Sequence, residues 1–288
     1  MSILLYNQVS YKSSKTITRR YSTSFSLGIQ MLDKSCHDAI YAIYGYVRLA
    51  DEIVDTFHDH DKGKLLDRFS QDTFFAIENK ISTNPVLNAF QDTINKYNID
   101  HRLIHAFLHS MKMDLFNDNH NQESYQEYIY GSAEVVGLMC LKVFCFEKPE
   151  LYTELIPYAR KLGAAFQKVN FLRDLKSDFT ERGRVYFPGV NFDNFTSEEK
   201  KKIEDDIHSD FEQAWIGIRK LPKCGKLGVM VACIYYETLF RKIKITPASK
   251  ISEGRIRINN ISKISLLIQT WFRFKAGELA GQMQSFLS

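Results

Sequence analysis

Apolar residues recur at helical spacing along most of the chain. In Ala39 to Asp55, for example, Ile40, Tyr44 and Val47 fall on neighbouring turns of one helix face. The same period predicts further helices over Leu65–Ile81, Pro85–Tyr97, Leu103–Phe116, Tyr125–Phe146, Pro149–Phe179, Glu198–Arg219, Leu227–Lys244 and Ser262–Met283. Turn-forming residues separate these segments, as in Ser82-Thr83-Asn84-Pro85.

Strand-like alternation is almost absent. Arg255-Ile256-Arg257-Ile258 is the only clean case, and it is short. The 288 residues contain only 6 Pro and 14 Gly, which suits long helices. Because no Gly/Ser-rich linker divides the chain and no internal repeat is visible, we predict one all-α domain over residues 1–288.

Composition and charge exclude several classes of protein. With 44% hydrophobic and 25% charged residues the chain is globular rather than disordered. Its net charge of +4 is spread along the sequence, whereas a nucleic-acid-binding protein would cluster basic residues. The most apolar run, Val135–Phe146, is shorter than the roughly 20 residues that span a membrane. The five cysteines include no CxxC pair, which indicates free thiols in a reducing compartment. The N-terminal segment does not resemble a signal peptide. We therefore expect a cytoplasmic protein.

The first feature that indicates chemistry is a pair of aspartates. Asp51 and Asp55 are four residues apart, so on a helix their carboxylates lie on one face, one turn apart. Arg48 precedes Asp51 on the same stripe. Carboxylates at this spacing repel each other, and a cation between them removes the repulsion. Alone, such a pair usually marks a solvated helix face.

A second set of polar residues follows about 120 residues later. Asn170, Asp174 and Asp178 form an i, i+4, i+8 ladder of oxygen ligands, with Gln167 one turn earlier and Arg173 adjacent. The neighbouring residues are apolar, so this helix is predicted to be buried and its charges to need partners. Two facing helices with aspartate pairs can hold Mg²⁺ ions that keep several waters, an arrangement suited to binding a polyphosphate. Adjacent arginines would bind the remaining phosphate oxygens.

Together these motifs resemble those of the squalene/phytoene synthase family, all-α isoprenoid synthases that join prenyl diphosphates head to head. Arg48–Asp55 (RLADEIVD) and Gln167–Asp178 (QKVNFLRDLKSD) are similar to the two aspartate-rich motifs of the family. Three further segments resemble its SxSF, YxYGxAGxVG and R-x-Y-[FL]-P patterns: Tyr21–Phe25, Tyr128–Gly137 and Arg184–Pro188. The matches span residues 21–188 in the family's order. The resemblance implies a single-domain isoprenoid-synthase bundle with a central apolar cavity.

The resemblance also implies roles for individual residues. The implied Mg²⁺ ligands are Asp51, Asp55, Asn170, Asp174 and Asp178. The implied contacts of the diphosphates, or polar partners near the metals, are Ser22, Ser24, Phe25, Arg48, Gln167 and Arg173. Tyr44 and Tyr130 resemble the tyrosines nearest the reacting carbons, and with the four aspartates they complete the expected catalytic set.

Some positions depart from the family pattern. Glu134 stands where relatives carry glycine, which would place a carboxylate beside the cavity. A tyrosine that many relatives carry late in the chain falls near Pro247 here. Arg255 and Arg257 match only loosely, so their role as further diphosphate contacts stays open.

The expected activity is head-to-head condensation of two geranylgeranyl diphosphates to phytoene, through a cyclopropylcarbinyl diphosphate, with Mg²⁺ or Mn²⁺. The alternative within the family is a squalene or dehydrosqualene synthase that acts on two farnesyl diphosphates, with NADPH required only for squalene. A second alternative is a non-catalytic assembly factor with the same fold. The expected partners are prenyl diphosphates and no nucleic acid, and the expected state is a monomer.

Two other patterns have alternative interpretations. His101, His105 and His109 recur at i, i+4, i+8, which suits either a zinc site or, as we favour, a half-exposed helix face. Ile264–Leu287 has one apolar face flanked by basic residues. We expect it to pack against the bundle, and the alternative is peripheral contact with the inner face of a membrane.

Overall fold

The structure is a computed structural model in which residues 2–116, 120–190, 195–251, 254–258 and 260–275 are described. Every regular element in these ranges is helical, and none is a β-strand. The α-helices are α1 (Ile3–Tyr21), α2 (Thr23–Gln30), α3 (Lys34–Asp55), α4 (Lys62–Asn79), α5 (Pro85–Tyr97), α6 (His101–Phe116), α7 (Gln122–Ile129), α8 (Val135–Phe144), α9 (Pro149–Arg182), α10 (Ser197–Lys220), α11 (Lys223–Ile245), α12 (Ala248–Ile251) and α13 (Asn260–Lys275). A π-helical turn, Tyr130–Glu134, joins α7 to α8. The all-α prediction is confirmed.

Each helix predicted from the hydrophobic period is present, with ends shifted by a few residues. The last one is described only as far as Lys275, so residues 276–283 of that prediction lie outside the described residues. The alternating segment Arg255–Ile258 does not form a strand. Its two isoleucines are buried and its two arginines exposed, so the alternation belongs to an extended segment that packs one side on the bundle.

The hydrophobic pattern predicts no helix before Ala39, yet α1 and α2 are there. The buried face of α1 consists of Ser10, Ser14 and Thr18, which carry no apolar signal. The Thr18 hydroxyl donates to the Ser14 carbonyl at 2.8 Å, so this polar group is satisfied inside the helix. Such small side chains let α1 approach α3 closely: a Cβ added at Gly45 would lie 2.9 Å from the Ser14 Cβ.

Side-chain caps fix where several helices begin. The Asp33 carboxylate accepts from the Ser35 amide at the start of α3. Asn84 caps α5, whose first residue is Pro85, and both preferences are usual for an N-terminus. The Asp33 cap thus sets the start of α3, the helix that carries the first aspartate pair.

Helix α9 is the 34-residue element around which the site is built. Helix α8 and the π-helical turn run antiparallel to it. A Cβ at Gly163 would lie 2.8 Å from the Ala133 carbonyl oxygen, and a Cβ at Gly137 would lie 3.2 Å from that of Ala159. As residue numbers rise along α8, the opposite numbers on α9 therefore fall.

Helix α10 is also antiparallel to α9, and buried ion pairs fix its position. Asp210 is fully buried and accepts from Lys161 at 2.7 Å and from Lys168 at 2.6 Å. Further along, Lys220 pairs with Glu154 at 2.6 Å. Because removing one partner of a buried pair leaves an uncompensated charge, the pairs at Asp210 strongly favour this one register, and the exposed Lys220–Glu154 pair agrees with it.

The three histidines of α6 do not share a site. The His105 ring stacks on Phe74 at 4.2 Å between centroids, and His109 Nε2 lies 3.3 Å from Glu127 Oε1. All five cysteines are free. Within the described ranges, no helix combines the length and the apolarity needed to cross a membrane.

Candidate active site

A cavity of about 510 Å³ lies between α3, α9 and α11. Its volume is that of an ordinary small-molecule pocket. The charged residues that line it are Arg48, Asp51, Asp55, Asp114, Arg173, Asp174, Asp178, Arg184 and Arg255. Another part of the lining is apolar and includes Leu32, Leu141, Phe144, Leu155, Ile218 and Leu221. A charged mouth and an apolar interior suit an amphiphilic ligand.

Helix α3 brings the first aspartate pair to the mouth. Asp51 and Asp55 both line the cavity. The Arg48 guanidinium pairs with Glu52, lies 3.9 Å from Asp51 Oδ2 and covers the Tyr21 ring at 4.5 Å. Its Nε is buried and has no hydrogen-bond partner among the described residues. Arg48 is thus held beside the cavity with one donor unused.

Helix α9 brings the second set to the same cavity. Asp174 accepts from Arg173 Nε at 2.9 Å and pairs with Arg255 Nε at 2.7 Å. Arg255 therefore reaches the mouth, a placement that the loose sequence match left open. Arg257 does not line the cavity in the described part of the chain, and its carbonyl oxygen accepts from Lys242 Nζ at 2.6 Å.

Deeper along α9, the lining changes from polar to aromatic. The Asn170 amide oxygen accepts from the Tyr236 hydroxyl at 3.3 Å, and its Nδ2 lies 3.5 Å from Gln167 Oε1. The Tyr236 ring also stacks on Phe166, with centroids 4.0 Å apart. The side chain of Asp178 is buried near the other end of the ladder.

A cluster that sequence analysis missed lies between the two aspartate sets. Asp114, near the end of α6, accepts from the Tyr128 hydroxyl at 2.8 Å and from the Tyr186 hydroxyl at 3.2 Å. Arg184 Nη1 lies 3.6 Å from Asp114 Oδ1 and 3.0 Å from Asp55 Oδ1. We call Asp114, Tyr128, Arg184 and Tyr186 the Asp114 cluster. It joins the R-x-Y-[FL]-P segment to the first aspartate pair.

Burial and repulsion between carboxylates raise two pKa values at the mouth. Burial is the main cause for Asp51, whose pKa rises to about 7, and the Asp55 and Asp114 carboxylates raise it further against the opposing effect of Arg48. Burial likewise raises the pKa of Asp114 to about 6, although Arg184 and the Tyr128 hydroxyl favour its ionised form. Burial and neighbouring carboxylates thus disfavour the ionised forms of Asp51 and Asp114, and a cation bound at the mouth would favour them.

The N-terminal segment is placed in part as expected. The Ser22 hydroxyl caps α2 by accepting from the Phe25 amide at 3.1 Å. Phe25 lies against Tyr44 with ring centroids 4.7 Å apart, and Ser22, Phe25 and Tyr44 all line the cavity. Burial raises the pKa of Tyr44 to about 12. Ser24 is not among the described lining residues.

Tyr130 and Glu134 lie in the π-helical turn and do not line the cavity in the described residues. Glu134 is buried and accepts from Arg160 Nε at 2.5 Å. The Arg160 guanidinium also lies over the Tyr130 ring, 5.1 Å from its centroid. The expectation that Glu134 places a carboxylate beside the cavity is wrong for the described lining: the carboxylate pairs with Arg160, which also contacts Tyr130.

The residues around the mouth fit a divalent cation in their chemistry. Five oxygen-bearing side chains predicted as ligands line one cavity: Asp51, Asp55, Asn170, Asp174 and Asp178. Within the described ranges, no three His, Cys, Asp or Glu side chains converge closely enough to enclose an ion. Mg²⁺ commonly takes only one or two carboxylates and completes its shell with water and phosphate oxygens, so this spread-out donor set suits it.

A family model described as squalene/phytoene synthase matches residues 18–261 of the chain. This chain belongs to the squalene/phytoene synthase family. The match includes both aspartate helices, the Asp114 cluster and Arg255, and it covers well over half of the sequence. Membership in the squalene/phytoene synthase family implies a prenyltransferase.

Individual members of the squalene/phytoene synthase family are similar over most of this chain. A 4,4'-diapophytoene synthase from Staphylococcus haemolyticus is 27% identical over 206 residues, which cover 69% of this chain and 70% of that protein. A 15-cis-phytoene synthase from Synechococcus elongatus is 27% identical over 261 residues, 81% of this chain and 83% of that protein. The crystal structure of a dehydrosqualene synthase in complex with a ligand superposes with a TM-score of 0.78 at 20% identity, over 94% of this chain and 98% of that one. At this level of identity, the structural likeness shows that the two proteins share a fold.

Proposed function

We propose that the protein condenses two geranylgeranyl diphosphates head to head to form phytoene. The observation that carries the proposal is one cavity with a charged mouth, flanked by two aspartate-bearing helices, and an apolar interior. The reaction proceeds through a cyclopropylcarbinyl diphosphate and releases two diphosphates and two protons in all. Phytoene then leaves as a hydrocarbon.

The depth of the cavity supports the longer substrate. Asn170 is the innermost of the predicted ligands, and Leu155 lines the cavity fifteen residues earlier on the same helix. At a helical rise of about 1.5 Å per residue, these two levels are about 22 Å apart. An extended prenyl chain advances about 1.25 Å per carbon–carbon bond, so a geranylgeranyl chain spans about 19 Å and a farnesyl chain about 14 Å. A farnesyl chain would leave about a third of this depth unfilled.

The protein's own groups would bind the diphosphates, exclude water and face the reacting carbons. Mg²⁺, held by the five predicted ligands, would neutralise a diphosphate and make it a better leaving group. Arg48, Arg173 and Arg255 lie where they can bind phosphate oxygens. The aromatic rings of Phe25, Tyr44, Phe166 and Tyr236 line the next part of the cavity. Their faces can stabilise an allylic cation while the apolar walls keep water from it.

The second candidate is condensation of two farnesyl diphosphates, which the similarity to the Staphylococcus haemolyticus relative favours. A product assay separates the two. Purified protein is incubated with Mg²⁺ and either diphosphate, with and without NADPH, and the hydrocarbons are identified by mass. We expect a C40 product without NADPH. A C30 product alone would replace the substrate assignment, and no hydrocarbon under any condition would support the non-catalytic alternative.

We also propose a cytoplasmic monomer in which α13 packs on the bundle, with peripheral membrane contact through its exposed aromatic residues as the alternative. Phe274 of α13 packs against the core, whereas Trp271 and Phe272 of the same helix are exposed. Aromatic residues in this position suit contact with an apolar interface, where prenyl substrates and a hydrocarbon product accumulate.

Arg48→Ala should weaken binding of a prenyl diphosphate by about 1.5–3 kcal/mol, the range for a charged hydrogen bond. Calorimetric titration with a non-hydrolysable thio-analogue and Mg²⁺ measures this. Arg257→Ala is the matched control, since Arg257 is exposed and outside the described cavity lining. Equal affinity of the Arg48 variant and the wild type would remove Arg48 from the site.

A further inference from the structure

The walls of the cavity can be assigned to levels of depth from contacts between its helices. Tyr236 of α11 bonds to Asn170, which marks the level where a tail would begin. At the far end, the Cys224 thiol donates to the Phe144 carbonyl oxygen at 3.5 Å, so α11 runs inward as its residue numbers fall. Helix α9 also runs inward with falling numbers, from Asn170 through Ala159 to Leu155.

Ala159 lies between the depths that the two candidate substrates reach. It is eleven residues from Asn170 along α9, which corresponds to about 16 Å at the rise of an α-helix. An extended farnesyl chain of about 14 Å would end before this level, and a geranylgeranyl chain of about 19 Å would pass it. Ala159 lines the cavity and is only half-buried, so a larger side chain here would occupy the space that a tail needs.

Helices α8 and α10 both pack closely on α9 at the level of Ala159. Gly137 of α8 approaches its backbone so closely that an added Cβ would lie 3.2 Å from the Ala159 carbonyl oxygen. On α10, a Cβ at Gly217 would lie 2.4 Å from the Tyr158 Cβ. Both glycines also line the cavity. Because Ala159 itself lines the cavity and the neighbouring helices pack closely on α9 at this level, a larger side chain at residue 159 would take up cavity space.

We propose that Ala159 determines the chain length of the substrate, because its small side chain leaves open the depth beyond the twelfth carbon of a tail. This inference rests on the proposed prenyl diphosphate condensation and specifies its substrate. The role of Ala159 is steric: its side chain contacts the distal isoprene unit of a geranylgeranyl chain and takes no part in the reaction of the carbons at the mouth.

The test compares Ala159→Phe with the wild type in two assays. Binding of the thio-analogues of farnesyl and geranylgeranyl diphosphate is measured with Mg²⁺, and hydrocarbon products are identified by mass. We expect Ala159→Phe to lose at least about tenfold in affinity for the geranylgeranyl analogue, the loss of roughly 1.4 kcal/mol. Its affinity for the farnesyl analogue should stay within about twofold, and its product should shift from C40 to C30.

Two further variants make the result specific to depth. Ala232→Phe adds the same bulk to the cavity lining on α11. Residue 232 is four residues from Tyr236, so it lies only about 6 Å below the level where a tail would begin. This variant should lose affinity for both analogues. Thr153→Phe adds it at an exposed position of α9 outside the described lining and should change neither affinity. Thermal melts verify folding, and Ala159→Leu replaces Ala159→Phe if the latter does not fold.

The outcomes separate this inference from the proposed function. If folded Ala159→Phe binds the geranylgeranyl analogue as tightly as the wild type, or loses both analogues equally, the assignment of chain length to Ala159 is wrong. A wild-type protein that binds both analogues but releases no hydrocarbon would overturn the proposed reaction. In that case the affinities of Ala159→Phe for the farnesyl and geranylgeranyl analogues would still support or overturn the assignment of chain length to Ala159.

Discussion

Asp51→Asn should reduce turnover by about 100-fold or more while leaving the helical fold intact. Removing one carboxylate at the mouth takes away a ligand of the expected Mg²⁺ and weakens activation of the leaving diphosphate. Asparagine has the size of aspartate, so no cavity opens in the packing of α3. Steady-state turnover with saturating Mg²⁺, together with a circular dichroism spectrum, measures both effects.

The same substitution should raise the stability of the metal-free protein above pH 7. Burial first, and then the neighbouring carboxylates, raise the pKa of Asp51 from its ordinary value near 3.8 to about 7. The unfolded chain therefore ionises between pH 4 and 7 before the folded protein does, and the free energy of unfolding falls as pH rises through this window. Asparagine has no proton to lose and removes this contribution. Water in the cavity lessens the effect, since about a third of the Asp51 side chain is exposed, at 32%.

Urea unfolding of the metal-free proteins at pH 5 and pH 8 provides the check. The wild type should lose stability relative to Asp51→Asn between these two values, and added Mg²⁺ should remove most of the difference. Asp67→Asn is a suitable control, because Asp67 lies on α4 and pairs with Lys112 near the surface, at 2.6 Å. Full turnover of Asp51→Asn at low Mg²⁺ would contradict the metal assignment.

Sequence analysis could predict those parts of the site whose residues lie on a single helix. Asp51 and Asp55 are one turn apart on α3, and Asn170 and Asp174 are one turn apart on α9, so spacing alone places each pair on one face. That the two faces meet is a tertiary fact. The family resemblance supplied it, and both sets do line one cavity.

The Asp114 cluster could not be assembled from local spacing, because its members come from three separate segments. One signal was available. Asp114 continues the stripe of Phe107 and Met111 on the buried face of α6, and a carboxylate at such a position needs a partner. The sequence does not say which partner. Arg184 occupies that place only because the segment after α9 returns to α6.

Helix α1 and Tyr130 show two other limits of sequence patterns. The buried face of α1 consists of residues with hydroxyl side chains, so a search for apolar periodicity does not detect this helix. Tyr130 is the first residue of a π-helical turn, within which α-helical spacing no longer gives the faces of the side chains. The expectation that Tyr130 lies nearest the reacting carbons came from the family resemblance, and Tyr130 does not line the cavity in the described residues.

Arg184→Met should both destabilise the protein and nearly abolish turnover. Arg184 is the cation between Asp55 and Asp114: Nη1 lies 3.0 Å from the first carboxylate, and Nη2 donates to the Asp114 carbonyl oxygen at 2.9 Å. Methionine keeps much of the side-chain volume but leaves both carboxylates without this partner. Breaking a buried pair in this way costs about 3 kcal/mol of unfolding free energy.

The loss of stability should depend on pH in a defined direction. Burial already raises the pKa of Asp114 to about 6, and Arg184 is the main group that opposes this rise. In Arg184→Met the pKa should rise further, so Asp114 is protonated in both folded proteins at pH 5 and its contribution to the difference is small. As pH rises through 6, Asp114 ionises in the wild type beside its cation, but not in the variant. The destabilisation should therefore be larger at pH 8 than at pH 5.

A double variant separates charge compensation from a role in the reaction. Arg184→Met combined with Asp114→Asn removes the uncompensated carboxylate together with its cation, so it should recover part of the lost stability at pH 8. Turnover should not recover, because Asp55 still lacks the guanidinium that holds it at the mouth. Urea unfolding at both pH values and product formation on the same samples measure the two effects. If Arg184→Met were equally destabilised at pH 5 and 8, or if the double variant regained full turnover, Arg184 would have a packing role and no part in positioning Asp55.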